Sequence, residues 1–136
     1  MSGPDGQWPS ELRLKDNGRI LHINFESGSA FDLTAEYLRV MSPSAEVQGH
    51  RPEERVTLGG KEKVAIIGVE PVGTYAVRLT FDDLHSTGIF TWDFLYDLGA
   101  KQEEKWAFYL SELAAYGLSR DKPGERRAHP DSVPIS

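Results

Sequence analysis

Glu11-Leu12-Arg13-Leu14-Lys15-Asp16-Asn17-Gly18-Arg19-Ile20-Leu21-His22-Ile23-Asn24-Phe25 is the segment from which the fold can be read. Leu12 and Leu14 alternate with Glu11, Arg13 and Lys15, and Leu21, Ile23 and Phe25 alternate with Ile20, His22 and Asn24. A period of two puts each set on its own face of a strand. Between the two runs lies Asn17-Gly18, a pair that tolerates the positive φ of a tight reversal. Ser27-Gly28 makes a further turn, and Phe31 and Leu33 end a third strand. Residues 12–33 therefore predict a three-stranded antiparallel meander with one buried face.

The pattern continues outward from this hairpin. Thr34 is suited to cap a short helix through Tyr37 and Leu38, which Pro43 prevents from running on. About twenty residues without clear periodicity follow, from Ser42 to Lys61, a loop length that is uncommon inside compact domains. Val64 to Glu70 is nearly all apolar and predicts a central strand, turned by Pro71-Val72-Gly73. In the next run Tyr75, Val77, Leu79 and Phe81 oppose Thr74, Ala76, Arg78 and Thr80. Gly88-Ile89-Phe90 is a short extended piece. Thr91 caps a helix with Asp93 in its first turn, Trp92, Leu95 and Leu98 inward, and Gly99 at its C-terminal stop. A last helix over 101–116 turns Trp106, Tyr109, Leu110 and Leu113 inward.

The expected fold is α+β: a mostly antiparallel sheet, built from the N-terminal meander and a later hairpin, packed by two or three helices. Residues 11–118 form the single domain. Residues 1–10, rich in Gly, Pro and Ser, read as a flexible N-terminus, and residues 119–136 as a disordered C-terminal tail. The 136 residues suit one domain, and no internal repeat is visible.

Composition removes several function classes. The chain has no cysteine, which excludes disulfides, thiolate zinc sites, iron–sulfur ligation and thiol nucleophiles. Asp and Glu outnumber Lys and Arg by 21 to 15, for a net charge of -6, and the basic residues are scattered, so nucleic acid is not an expected partner. No run approaches the roughly 20 apolar residues that span a bilayer, and the polar start Met1-Ser2-Gly3-Pro4-Asp5-Gly6 does not read as a secretory signal. A cytoplasmic protein without a membrane partner is expected.

Candidate chemistry is sparse. Of the four histidines, His22 lies mid-strand on the polar side and reads as an exposed surface residue. His129 and Asp131 have a His-x-Asp spacing but stand in the polar tail. His50 and His85 flank loops, and with Glu46 and Asp83 they would make a weak divalent-cation site if the fold joined them. No Gly-x-Ser-x-Gly elbow is present. Gly59-Gly60-Lys61 lacks the earlier glycine and the following Ser or Thr of a phosphate loop, and reads as a loop glycine pair. The adjacent carboxylates Asp82-Asp83 and Glu53-Glu54 read as solvated loop residues rather than an acid–base pair, which requires desolvation. Trp92 with Phe94 and Trp106 with Phe108 read as core and helix-packing residues.

Three segments, 37–50 (YLRVMSPSAEVQGH), 69–77 (VEPVGTYAV) and 83–95 (DLHSTGIFTWDFL), taken in this order and spacing, resemble the DUF971 family. That domain is similar to the N-terminal domain of gamma-butyrobetaine hydroxylase and trimethyllysine dioxygenase, and it also occurs fused to iron–sulfur carrier ATPases. The resemblance covers about residues 10–99. It implies a zinc-binding appendage in the hydroxylase form, held by three cysteines and a histidine. Those positions fall here on Ser42, Ser44, Val47 and His85. Three of the four ligands are replaced, so the resemblance implies the metal-free, stand-alone form, without cofactor. The family's common Asp-Gly-His is here Asp83-Leu84-His85. The oxygenase chemistry of those enzymes belongs to a separate domain and is not inherited with this one.

The expectation is a non-catalytic accessory or protein-interaction domain, with an oxidoreductase or an iron–sulfur assembly system as the setting and a protein as partner. Arg39, Ser42, Ser44, Glu46, His50, Asp83 and His85 are the candidate binding surface. The alternative is a small-ligand or weak divalent-metal binding protein using the His50 and His85 region.

Overall fold

The computed structural model describes residues 7–43, 56–83, 88–122 and 126–128. Strands β1 (Pro9–Lys15), β2 (Ile20–Phe25) and β3 (Ala30–Thr34) form the expected antiparallel meander, in the order β1-β2-β3. Its first reversal is a four-residue loop, Asp16 to Arg19, rather than a two-residue Asn-Gly turn, since pairing closes at Lys15 and Ile20. Asp16, Asn17 and Gly18 all take positive φ, at 53°, 56° and 85°. Gly18 is also where this hairpin meets the second sheet, since a Cβ there would run into the Ile66 carbonyl. Its glycine is thus required twice, for conformation and for close approach.

The second sheet has the order β5-β6-β7, from Ile66–Val72, Ala76–Phe81 and Gly88–Thr91, again antiparallel. Residues 64–70 were expected to form a central strand, but β5 lies at the sheet's edge and β6 takes the centre. The apolar run misleads because it is not all inside. Ile66 is buried, whereas Ile67, beside a register irregularity, is 61% exposed. The edge position also explains why Pro71 continues the strand instead of turning it, for an edge proline breaks no ladder. Tyr75, expected on one strand face with Val77, Leu79 and Phe81, precedes the strand and stays exposed.

Helices α1 (Ala35–Val40), α2 (Trp92–Ala100) and α3 (Gln102–Tyr116) complete the α+β fold. Thr34 and Thr91 cap the first two as their sequence suggests, accepting from the Tyr37 and Phe94 amides at 3.1 and 3.2 Å. Gly99 does not stop α2. It lies inside the helix, where the Phe31 ring occupies the space a Cβ would need. The glycine that does end a helix is Gly117, in the left-handed conformation after α3. On α3, Tyr109 and Leu113 are buried and Trp106 half-buried, but Leu110 is exposed. It stands 100° from Tyr109 around the helix, off the inward face.

The main core lies between the inner faces of the two sheets and α1 and α2, with Leu21, Ile23, Leu33, Leu79, Phe81 and Leu95 fully enclosed. A smaller cluster joins Val40, Val56, Leu58, Tyr109 and Leu113. There β4 (Val56–Leu58) pairs antiparallel with β8 (Arg126–Ala128). Near its two ends the described chain makes backbone bonds to the core: Trp8 accepts from the Glu26 amide at 2.8 Å, and Ser119 and Arg120 accept from the Gly60 and Glu62 amides at 2.9 and 3.1 Å. Among the described residues no helix is long and apolar enough to cross a membrane.

Candidate functional site

Helix α1 is short, and all six of its residues are buried. Such a helix would ordinarily be apolar throughout. This one carries Glu36 and Arg39 inside, and each must find a counter-charge, because an uncompensated buried ion is costly. Arg39, 3% exposed, donates from Nε to Asp83 Oδ2 at 2.8 Å. Lys61 Nζ donates to the same oxygen at 2.7 Å. Burial pushes the Asp83 carboxyl up, but the hydrogen bonds and charges of Lys61 and Arg39 outweigh it and hold the group below the usual carboxylate range.

The adjacent Asp82 faces elsewhere. Its Oδ1 accepts from the Ala65 amide at 3.1 Å, and its own amide donates to the Ala65 carbonyl at 2.8 Å. Asp82 and Asp83 therefore have separate structural partners and form no shared acid–base pair. Ser42 is fully buried at the end of α1, its Oγ only 2.7 Å from where a Cβ on Gly88 would stand. Glycine at 88 is what lets the start of β7 approach this hydroxyl.

Of the expected binding surface, then, the fold brings Arg39 and Asp83 into contact and sets Ser42 against Gly88 at the start of β7. Ser44, Glu46, His50 and His85 lie outside the described residues. So do the Glu53-Glu54 pair, His129 and Asp131. His22, expected to be exposed, is half-buried and shares a 2.6 Å contact with Asp32, whose carboxyl that bond draws downward. Among the described residues no three His, Asp or Glu side chains are grouped to hold a metal. The zinc implied by the resemblance does not fit the residues present. Two of its ligand positions are serines and a third is Val47, which has no donor atom, while the Ser42 hydroxyl is packed against Gly88.

Two parts of the site escaped sequence reading. Lys61 follows a glycine pair in a loop, and nothing local assigns it to Asp83, 22 residues on. The second is a cleft of about 700 Å³ beside α1, between α2 and α3, lined by Val40, Met41, Pro43, Phe94, Leu98 and Phe108, with Glu104 and Lys105 also in its wall. Phe108 was expected to pack in the core but is 58% exposed. Its position two residues after Trp106, off that residue's face, was the available signal.

The match to known proteins follows the same elements. A family model described as gamma-butyrobetaine hydroxylase-like, N-terminal, matches residues 12–96. The chain belongs to that family. This gamma-butyrobetaine hydroxylase-like N-terminal domain is similar to a protein solved by NMR in solution at 48% identity, with a TM-score of 0.73, covering 88% of this chain and 93% of that one. A second NMR structure is 42% identical, with a TM-score of 0.74 and coverage of 92% and 96%. A crystal structure at 1.93 Å of a protein of unknown function in the DUF971 family, from Acidithiobacillus ferrooxidans ATCC 23270, is 40% identical, with a TM-score of 0.56 and coverage of 68% and 92%. No curated protein matches the chain. The DUF971 resemblance drawn from residues 37–95 is thereby borne out.

Proposed function

We propose that this gamma-butyrobetaine hydroxylase-like domain is a non-catalytic accessory domain of the cytoplasm that recognises a protein partner, in the setting of an oxidoreductase or an iron–sulfur assembly system. The observation that carries the reading is how its polar residues are used. Asp83 pairs with both Arg39 and Lys61 in a half-buried cluster, and Asp82 ties down the residue that precedes β5, so these groups hold the fold. The cleft beside α1 is mostly apolar. Apolar surface flanked by charge suits recognition of another chain better than it suits proton transfer.

The full chain, immobilised at limiting density, is used to isolate binding proteins from its own cells, and each candidate is then purified and titrated against the free domain. A saturable one-to-one complex is expected. No saturable partner, together with strictly monomeric behaviour of the isolated domain, contradicts the proposal.

A further inference from the structure

The geometry points to the cleft between α2 and α3 as the docking site for a helical segment of a protein partner that presents apolar side chains flanked by Lys or Arg; this rests on the interaction reading above and names its surface. The cleft's volume, about 700 Å³, is that of a site taking a few side chains rather than a shallow dent. Its wall is Val40, Met41, Pro43, Phe94, Leu98 and Phe108, and the adaptable Met41 thioether can adjust to an incoming group. A metabolite site would need several polar groups converging within it. Among the described residues the ionisable lining is Glu104 and Lys105.

Those two are not equivalent. Lys105 lies 3.7 Å from Asp97, which also holds Lys101 at 3.2 Å. Glu104 has no ion pair among the described residues, so the wall offers a carboxylate while its lysine is engaged. The chain as a whole carries -6. A cationic segment is attracted by both the local and the overall field. A second copy of this chain would bring like charge to like, and an anionic membrane surface would be repelled. A helix with apolar residues at i, i+3, i+4 and i+7 fits such a groove, with its basic residues toward Glu104.

The test is an NMR titration of the full chain at 100 mM salt with a 16-residue helical peptide carrying Leu at that spacing and Lys elsewhere. A second peptide has Glu for every Lys. The Lys peptide is expected to shift Met41, Phe94 and Phe108. Phe108→Ser should weaken it about tenfold and Glu104→Lys about fivefold, the scale of one lost anchor or one reversed charge. Glu70→Lys, the same charge change on the outer face of β5, should alter it less than about twofold. Equal weakening by Glu104→Lys and Glu70→Lys, equal binding of the Glu peptide, shifts confined to other faces, self-association through Phe108, or preference for anionic vesicles would each overturn the assignment. A natural partner that binds Phe108→Ser as tightly as wild type overturns the cleft alone. Binding of the probe without any natural partner contradicts only the interaction reading.

Discussion

Arg120 and Glu36, 84 residues apart, meet in a two-pronged ion pair: Nε donates to Oε2 at 2.9 Å and Nη2 to Oε1 at 2.7 Å. The guanidinium also lies 5.3 Å from the centre of the Trp106 ring. Glu36 is almost wholly buried, whereas Arg120 is 41% exposed, so the arginine serves as a partly solvated lid on a carboxylate that cannot reach water itself. The bond hydrogens draw the guanidinium still further from deprotonation, burial opposing them only in part.

Removing that lid should destabilise the domain. Arg120→Ala leaves the Glu36 carboxylate to find water or a proton, at a cost of about 1–3 kcal/mol, reduced toward the low end by solvent reaching the site. Arg120→Lys should recover part of the loss, since it restores the charge but not the fork. Urea unfolding measures both. The Gly60 and Glu62 amides, bonded to the Ser119 and Arg120 carbonyls, should exchange faster in Arg120→Ala than in wild type.

Gly99→Ala opposes two effects of known sign. Ala favours the helix by roughly 0.8–1 kcal/mol. The new methyl, however, meets the Phe31 ring, which itself packs edge-on against Phe25 and Tyr96. Overpacking of that kind costs about 1–3 kcal/mol, so the variant should be less stable despite the better propensity. Pairing it with Phe31→Leu should lessen the penalty, a non-additivity that a double-mutant cycle measures.

The two buried tyrosines serve as hydrogen-bond struts. Tyr37 donates its phenol hydrogen to the Leu98 carbonyl at 2.7 Å and Tyr109 to that of Leu58 at 2.5 Å. Burial pushes both phenols well above their ordinary range, chiefly by desolvating the ionised form. Tyr37→Phe and Tyr109→Phe should each cost about 1 kcal/mol in a thermal or urea transition, because each leaves a carbonyl unpaired.

The Arg39–Asp83–Lys61 cluster sets an acid dependence. Asp83 is held below its ordinary value in the folded domain, so its contribution is present above the unfolded carboxylate range and is lost as pH falls through that range toward the folded value. Asp83→Asn should destabilise the domain at neutral pH by about 1–3 kcal/mol, since it removes the anion from a buried arginine. The gap between the two proteins should narrow as pH falls through the unfolded carboxylate range, about 4, toward the lower folded value. A gap that stays constant with pH would contradict the role given to this carboxylate.

Much of the fold was legible because it is written locally. The alternation around Asn17-Gly18 sets the meander, and Thr34 and Thr91 announce two helix starts. What was hidden depends on distant partners. Glu36 and Arg39 look like ordinary polar positions on a short helix until Arg120 and Asp83 are seen beside them. Ile67 looks like core until its strand proves to be an edge. The site was legible in part: Arg39, Ser42 and Asp83 were drawn from the segments carrying the family likeness, but the cleft beside α1 is made by the docking of α2 and α3, which no sequence period encodes.

Packed apolar groups and ion pairs hold this scaffold at the place where the resemblance to the hydroxylase's own domain implies a zinc ion. Thermal unfolding of the purified chain, before and after exhaustive chelation and with bound metal assayed on the same sample, tests it directly. The account predicts less than one-tenth of a metal ion per chain and a transition midpoint unchanged by chelation or by added zinc. Stoichiometric metal, with a transition that falls or vanishes once it is stripped, would contradict it.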